Sequence, residues 1–140
     1  MRRHRFGPPS LIVSDVDGTL IDSDGTIRPL TRRTLATAAE RGVPFVLATG
    51  RPPRWVDEIA RQLPHATYAV CANGAIVFDL DSEEFVRQHP IPVDVVREVE
   101  ARLRPALPGI GFALESIAGF RREDAYATRF DSGLEERVAP

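Results

Sequence analysis

The chain has 140 residues, 43% of them hydrophobic, and a formal net charge of −2. That balance describes one soluble domain, or one and a half, with a real core, and it excludes the strongly basic surface that nucleic acid or an anionic membrane would select. A single cysteine, Cys71, excludes an internal disulfide and fits a reducing, cytoplasmic setting, and no apolar stretch reaches the roughly 18 residues of a membrane span.

The opening "MRRHRFGPPS" is basic and lacks a following apolar segment, so residues 1–9 read as a disordered tail. Leu11 to Ser14 is a short apolar run that predicts a buried strand. Leu20-Ile21 and Thr26-Ile27 flank Asp22-Ser23-Asp24-Gly25, a hairpin signal in which Asp22 and Asp24 are turn residues. Thr31 is placed to cap a helix that runs to Arg41 and stops at Gly42. "VPFVLATG" is a second apolar strand, and Pro52 or Pro53 opens a helix with Val56, Ile59, Ala60 and Leu63 on its buried stripe. "TYAVCANG" is a third strand.

The order strand, helix, strand, helix, strand, with strands apolar throughout, predicts a Rossmann-like α/β core. About three parallel strands would be buried on both faces. Beyond Asn73, Ala75–Leu80 and Glu84–His89 predict a hairpin. Pro92 to Leu103 predicts a helix, and "GIGFALES" and "GFRRED" predict further strands. The expected division is a core over 10–82 and a second α/β unit over 83–140.

A parallel sheet delivers the carboxyl ends of its strands to one edge, where ligands of such folds bind. Three strand ends carry polar groups there: Asp15 and Asp17, then Thr49-Gly50-Arg51, then Asn73-Gly74. Two carboxylates so close repel unless a cation or a shared proton compensates, and Mg²⁺ suits one or two carboxylates plus a substrate phosphate. A carboxylate also serves as a nucleophile toward phosphorus, with its neighbour protonating the leaving oxygen. Gly18 permits a tight turn with N–H groups toward an anion, the Thr49 hydroxyl and Gly50 N–H suit a phosphoryl oxygen, and Gly18, Thr19, Thr49, Gly50, Arg51, Asn73 and Gly74 are the candidate substrate- and phosphate-binding residues.

Blander readings exist for each. A calcium loop of the EF-hand kind fails, because Leu20 stands where its glycine belongs counting from Asp15. Thr49 alone, or Asn73-Gly74 alone, is commonly structural. Arg51 at a helix start is mildly unfavourable, which argues for a role. His4, His65 and His89 lack ligand spacing, and Trp55 reads as packing.

"DVDGTL" followed by "ATGR" and "CANGA" resembles the haloacid dehalogenase-like (HAD) phosphohydrolases, and among them the Cof-like branch, with a large α/β cap inserted after the third strand. The resemblance implies Asp15 as nucleophile and Mg²⁺ ligand. It implies Asp17 as general acid/base that also gives its main-chain carbonyl to the metal. Thr49 would bind the phosphoryl group, residues 20–27 would form a flap, and Asn73-Gly74 would lead into the cap over 83–140. The implied partner is a small phosphorylated metabolite such as a sugar phosphate; a phosphomutase shares the same first half-reaction. The family pattern also holds a lysine and a later Gly-Asp-x-x-(x)-Asp segment. This chain has no lysine, all 18 basic residues being arginine, and no such segment. The expectation is therefore an N-terminal portion, weakly active or inactive alone, whose first strand has an unpaired edge open to association with another chain. The alternative is a non-catalytic binder of phosphate or metal. Glu115, Arg121 and Arg122 are candidate substrate contacts, a solvated strand face being the commoner case.

Overall fold

The computed structural model describes residues 7, 9–63, 65–127 and 135–138, the segment 135–137 in its backbone only. Residues 1–6 and 8, most of the proposed tail, lie outside that range. The chain divides into two compact units, 1–90 and 91–140.

The first unit holds strands β1 (Ile12–Asp15), β2 (Phe45–Ala48), β3 (Ala66–Cys71), β4 (Ile76–Asp79) and β5 (Glu84–Gln88) in one sheet, in chain order. β1, β2 and β3 run parallel; β4 pairs antiparallel with β3, and β5 antiparallel with β4. The sheet is thus the expected Rossmann-like core extended by a hairpin. That hairpin puts β5 in the first sheet, so the division at 82/83 falls within its turn, and the first compact unit runs on to Pro90.

Helix α1 (Pro29–Glu40) follows β1, and a 3-10 turn (Pro53–Trp55) leads into the short α2 (Asp57–Ala60) after β2. Thr31 does not cap α1. The helix starts two residues earlier with Pro29 in its first turn, where a missing N–H costs nothing, and no side chain caps it. Gly42, at φ +73°, ends it. The helix expected from Pro52 or Pro53 shrinks to one 3-10 turn and one α-turn, yet Val56, Ile59 and Leu63 are buried as its stripe requires.

Register decides the core. Phe45 and Leu47 of β2 share a face with Ala66 and Ala69 of β3 and Phe78 of β4; these pack with Leu35, Val56 and Ile59. Full burial of one such side chain contributes about 1.5–3 kcal/mol. The opposite face carries Val13, Val46 and Tyr68 in one row and Ala48, Val70 and Val77 in the next. Val13 is 54% exposed, Tyr68 is exposed and the other four are half-buried. Burial on both faces is therefore not realised among the described residues: both local helices supply side chains to one face.

The second unit holds α3 (Val93–Ala106) and a sheet of β6 (Ala113–Ser116), β7 (Gly119–Arg122) and β8 (Glu135–Arg137). Arg104 on α3 joins Glu100 one turn earlier and Glu123 just after β7. Glu123 also accepts the Phe112 N–H at 3.1 Å, and Arg104 stacks over the Phe112 ring. One arginine thereby ties the helix to the β6–β7 hairpin.

Candidate active site

β1 ends on Asp15. The next residue, Val16, is 1% exposed and turns into the core, so its neighbours Asp15 and Asp17 stay on the solvent side. The Val16 carbonyl gathers the N–H groups of Thr19 (3.4 Å), Leu20 (3.0 Å) and Ile21 (3.1 Å), coiling the loop around one buried anchor. Gly18, at φ +74°, makes the reversal that a side chain would resist. The Thr19 hydroxyl donates to Asp15 Oδ2 at 3.0 Å, fixing that carboxylate and leaving Oδ1 available.

The second strand end is stitched to the first and third. Thr49 is 6% exposed; its N–H bonds Val70 O, and its hydroxyl accepts the Arg51 N–H at 3.0 Å. The hydroxyl hydrogen therefore remains to donate. Arg51 reaches across to Asp17 with Nε at 2.9 Å and Nη2 at 2.6 Å, a two-pronged charge-assisted clamp. Asp17 in turn pushes the Arg51 guanidinium above its ordinary range, chiefly through these hydrogen bonds. This clamp answers what Arg51 does beside a helix start: it neutralises the second carboxylate.

The third strand end turns sharply. Ala72, Asn73 and Gly74 take φ of +50°, +55° and +96° in succession, two of them non-glycine. Such conformations cost on the order of 1–3 kcal/mol and persist only where neighbours enforce them. The enforcing bonds are Ala72 N–H to Arg51 O (2.9 Å) and Asn73 N–H to Thr49 O (3.3 Å). Asn73 Oδ1 lies 3.0 Å from where a Cβ on Gly50 would sit, so Gly50 lets the Asn73 amide come this close without crowding. The structure thus joins Thr19 to Asp15, Arg51 to Asp17, and Asn73 to Thr49 and Gly50. Gly74 enters only through the turn.

The segment 20–27 is not a two-stranded hairpin. The Leu20 and Ile21 N–H groups are spent on Val16 O, and two bonds, Asp22 N–H to Thr26 O and Gly25 N–H to Asp22 O, each 2.9 Å, close the loop. Asp24 accepts the Thr26 N–H and hydroxyl, and Arg28 forks onto Asp22; each bond holds its carboxyl below the usual range. Gln62, which sequence reading passed over, anchors this loop from 35 residues away: it accepts the Ile27 N–H and donates to Gly25 O, each at 3.2 Å. A lone glutamine after a helical stripe carries no signal of that partnership.

All donors at the Asp15 loop are oxygens, as a hard divalent cation requires, and the Asp15 carboxylate and the Asp17 carbonyl suit Mg²⁺ with its waters. Among the described residues no group of three or more His, Cys, Asp or Glu is assembled to hold a metal. In the second unit Arg122 is buried and its Nη1 donates to Tyr126 O at 3.4 Å, which removes it as a solvent-facing substrate contact; Glu115 and Arg121 are exposed.

Residues 12–129 match the family model of haloacid dehalogenase-like hydrolases. The chain therefore belongs to that family, as the Asp-x-Asp loop on a parallel α/β sheet implies. It is 35% identical over 92 residues to the 5-amino-6-(5-phospho-D-ribitylamino)uracil phosphatase YitU of Bacillus subtilis, covering 65% of this chain and 34% of that protein. It is 31% identical over 83 residues to the pyridoxal phosphate phosphatase YbhA of Escherichia coli, covering 59% and 30%. A solved haloacid dehalogenase-like hydrolase from Bacteroides thetaiotaomicron superposes with a TM-score of 0.63 at 27% identity, covering 81% of this chain and 42% of the other. The chain spans about a third of the curated relatives' length.

Proposed function

We propose that the chain carries the nucleophile-bearing part of a Mg²⁺-dependent phosphohydrolase that works through an aspartyl-phosphate on a small phosphorylated metabolite. The observation that supports this best is the convergence of three strand ends, with one carboxylate fixed by Thr19 and the other clamped by Arg51. The phosphatase names of YitU and YbhA agree with it.

Asp15 Oδ1 attacks phosphorus, and the bond from phosphorus to the ester oxygen breaks. Asp17, released from Arg51 and protonated, gives its proton to the departing alkoxide. Water then attacks the aspartyl-phosphate; Asp17 takes the water's proton, and Asp15 and inorganic phosphate are regenerated. Thr49 donates its free hydroxyl hydrogen to a phosphoryl oxygen, and Arg51 moves from Asp17 to the same anion. A Mg²⁺ held by Asp15 and the Asp17 carbonyl would neutralise phosphate charge. Residues 91–140, the second compact unit, serve in this reading as part of a substrate-selecting cap. The setting is cytoplasmic.

The test is hydrolysis of p-nitrophenyl phosphate with Mg²⁺. Slow release is expected, lower by at least about 10²–10³ in Asp15→Asn. Equal release from both proteins sinks the assignment. A second reading, a non-catalytic binder that associates with another chain, is favoured by the edge position of β1. It requires phosphate or metal binding without turnover.

A further inference from the structure

Away from the Asp15 loop, at the opposite ends of β2 and β3, the first unit holds a cavity of about 260 Å³. Its walls are Leu35 and Ala36 of α1, Phe45 and Ala66 at the strand starts, and Leu63 and Gln62 after α2. The remaining lining residues are Arg32, Arg33 and His65, all exposed. Among the described residues no acidic side chain lines it, and α1 has none in its first turn. Neither Arg32 nor Arg33 forms a side-chain hydrogen bond or ion pair among the described residues. An apolar hollow rimmed by two uncommitted guanidinium groups matches a ligand with a compact hydrocarbon body and one planar anion, because the guanidinium fork fits a carboxylate with two bonds. An apolar cavity of about 150 Å³ already accommodates benzene, so a ring with a short acidic arm fits the size.

We propose that this cavity is a binding site for a small apolar monocarboxylate, its body against Leu35, Phe45, Leu63 and Ala66 and its carboxylate at Arg32 and Arg33. Gln62 gives the site a reach beyond itself. The same side chain that forms part of the wall holds Gly25 and Ile27 of the loop following the Asp-x-Asp motif. Occupancy shifts Gln62 and is felt at the Ile27 amide.

The experiment is a titration of the ¹⁵N-labelled full chain with phenylacetate, with 2-phenylethanol as the uncharged counterpart, followed by amide shifts. Phenylacetate is expected to move residues 32–36, 45, 62, 63, 65 and 66 together with Ile27, and to bind about tenfold more tightly than the alcohol. Arg32→Gln/Arg33→Gln brings it to the alcohol's level; both positions are exposed, so the fold is retained. Ala36→Phe fills the hollow and removes binding of both compounds. The proposal is overturned by equal affinity for acid and alcohol, by shifts centred on Asp15 and Thr49, by binding that survives the arginine pair's removal, or by no saturation below about 10 mM.

Discussion

Arg51 separates stability from function at the scale of one residue. Its pair with Asp17 is open to water, with side-chain exposures of 28% and 55%, so screening leaves it about 0.2–1 kcal/mol of folding free energy at most. A charge-assisted bond to phosphate is worth more, about 1.5–3 kcal/mol. Arg51→Ala should therefore leave the urea midpoint nearly unchanged while weakening inhibition by inorganic phosphate about tenfold or more, with Arg51→Lys intermediate. A large stability loss with phosphate affinity intact would make the clamp structural. Cys71 gives the opposite case, a buried group with no part in the chemistry. Burial pushes its thiol from 9.0 up to about 11. The folded state keeps the proton where the unfolded chain releases it, so this contribution is full below pH 9 and is lost as pH rises toward about 11. Urea midpoints measured across that window should fall, and Cys71→Ala should flatten the part of the slope that belongs to the thiol. Identical slopes in both proteins would refute it.

Among the elements, the turn after β3 shows how tightly the strand ends are coupled. Gly50→Ala places a methyl 3.0 Å from Asn73 Oδ1, the mobile end of a side chain, so the amide must swing rather than the backbone yield. The expected cost is about 1 kcal/mol, and Asn73→Gly should recover most of it by removing both the crowding and the positive-φ residue. Additive denaturation free energies in the double variant would show the contact to be idle. That coupling was only partly legible in the sequence. Asp15, Asp17, Thr49 and Asn73 could be read because each sits just past an apolar run, where a parallel sheet leaves polar groups together. The hairpin at 20–27 was misread because Asp-Gly between apolar pairs is a local signal. The deciding partners are Val16 O, which absorbs the Leu20 and Ile21 N–H groups, and Gln62, 35 residues on. Thr31 as a cap lost to Pro29, which satisfies the helix start by having no N–H to place. Arg104, Glu100 and Glu123 illustrate a half-visible case. The first pair has the four-residue spacing of a helical ion pair, while the reach to Glu123 depends on how β7 folds back.

At the scale of the whole molecule, the sheet's second face sets the behaviour in solution. Continuous apolar strands anticipate cover on both sides, yet α1 and α2 both contribute to the face that bears Phe45 and Leu47. Val13, Val46 and Tyr68 are left in a row that ends at β1, the edge strand among the described residues. An apolar face continuous with an unpaired edge offers two complementary gains to an incoming chain, hydrocarbon burial and ladder hydrogen bonds. The chain should therefore associate with itself as concentration rises, and light scattering with size exclusion should show a mass that grows between about 1 and 100 µM. Val13→Lys puts a charge on the edge strand at a position already 54% exposed, so it should shift the population to monomer with little loss of fold. Release of p-nitrophenolate by the monomeric variant, still dependent on Asp15, would separate the chemistry of the strand ends from the association of the sheet. A wild-type chain that stays monomeric at about 100 µM would show instead that the half-buried row tolerates water, and that β1 needs no partner to hold Asp15 in place.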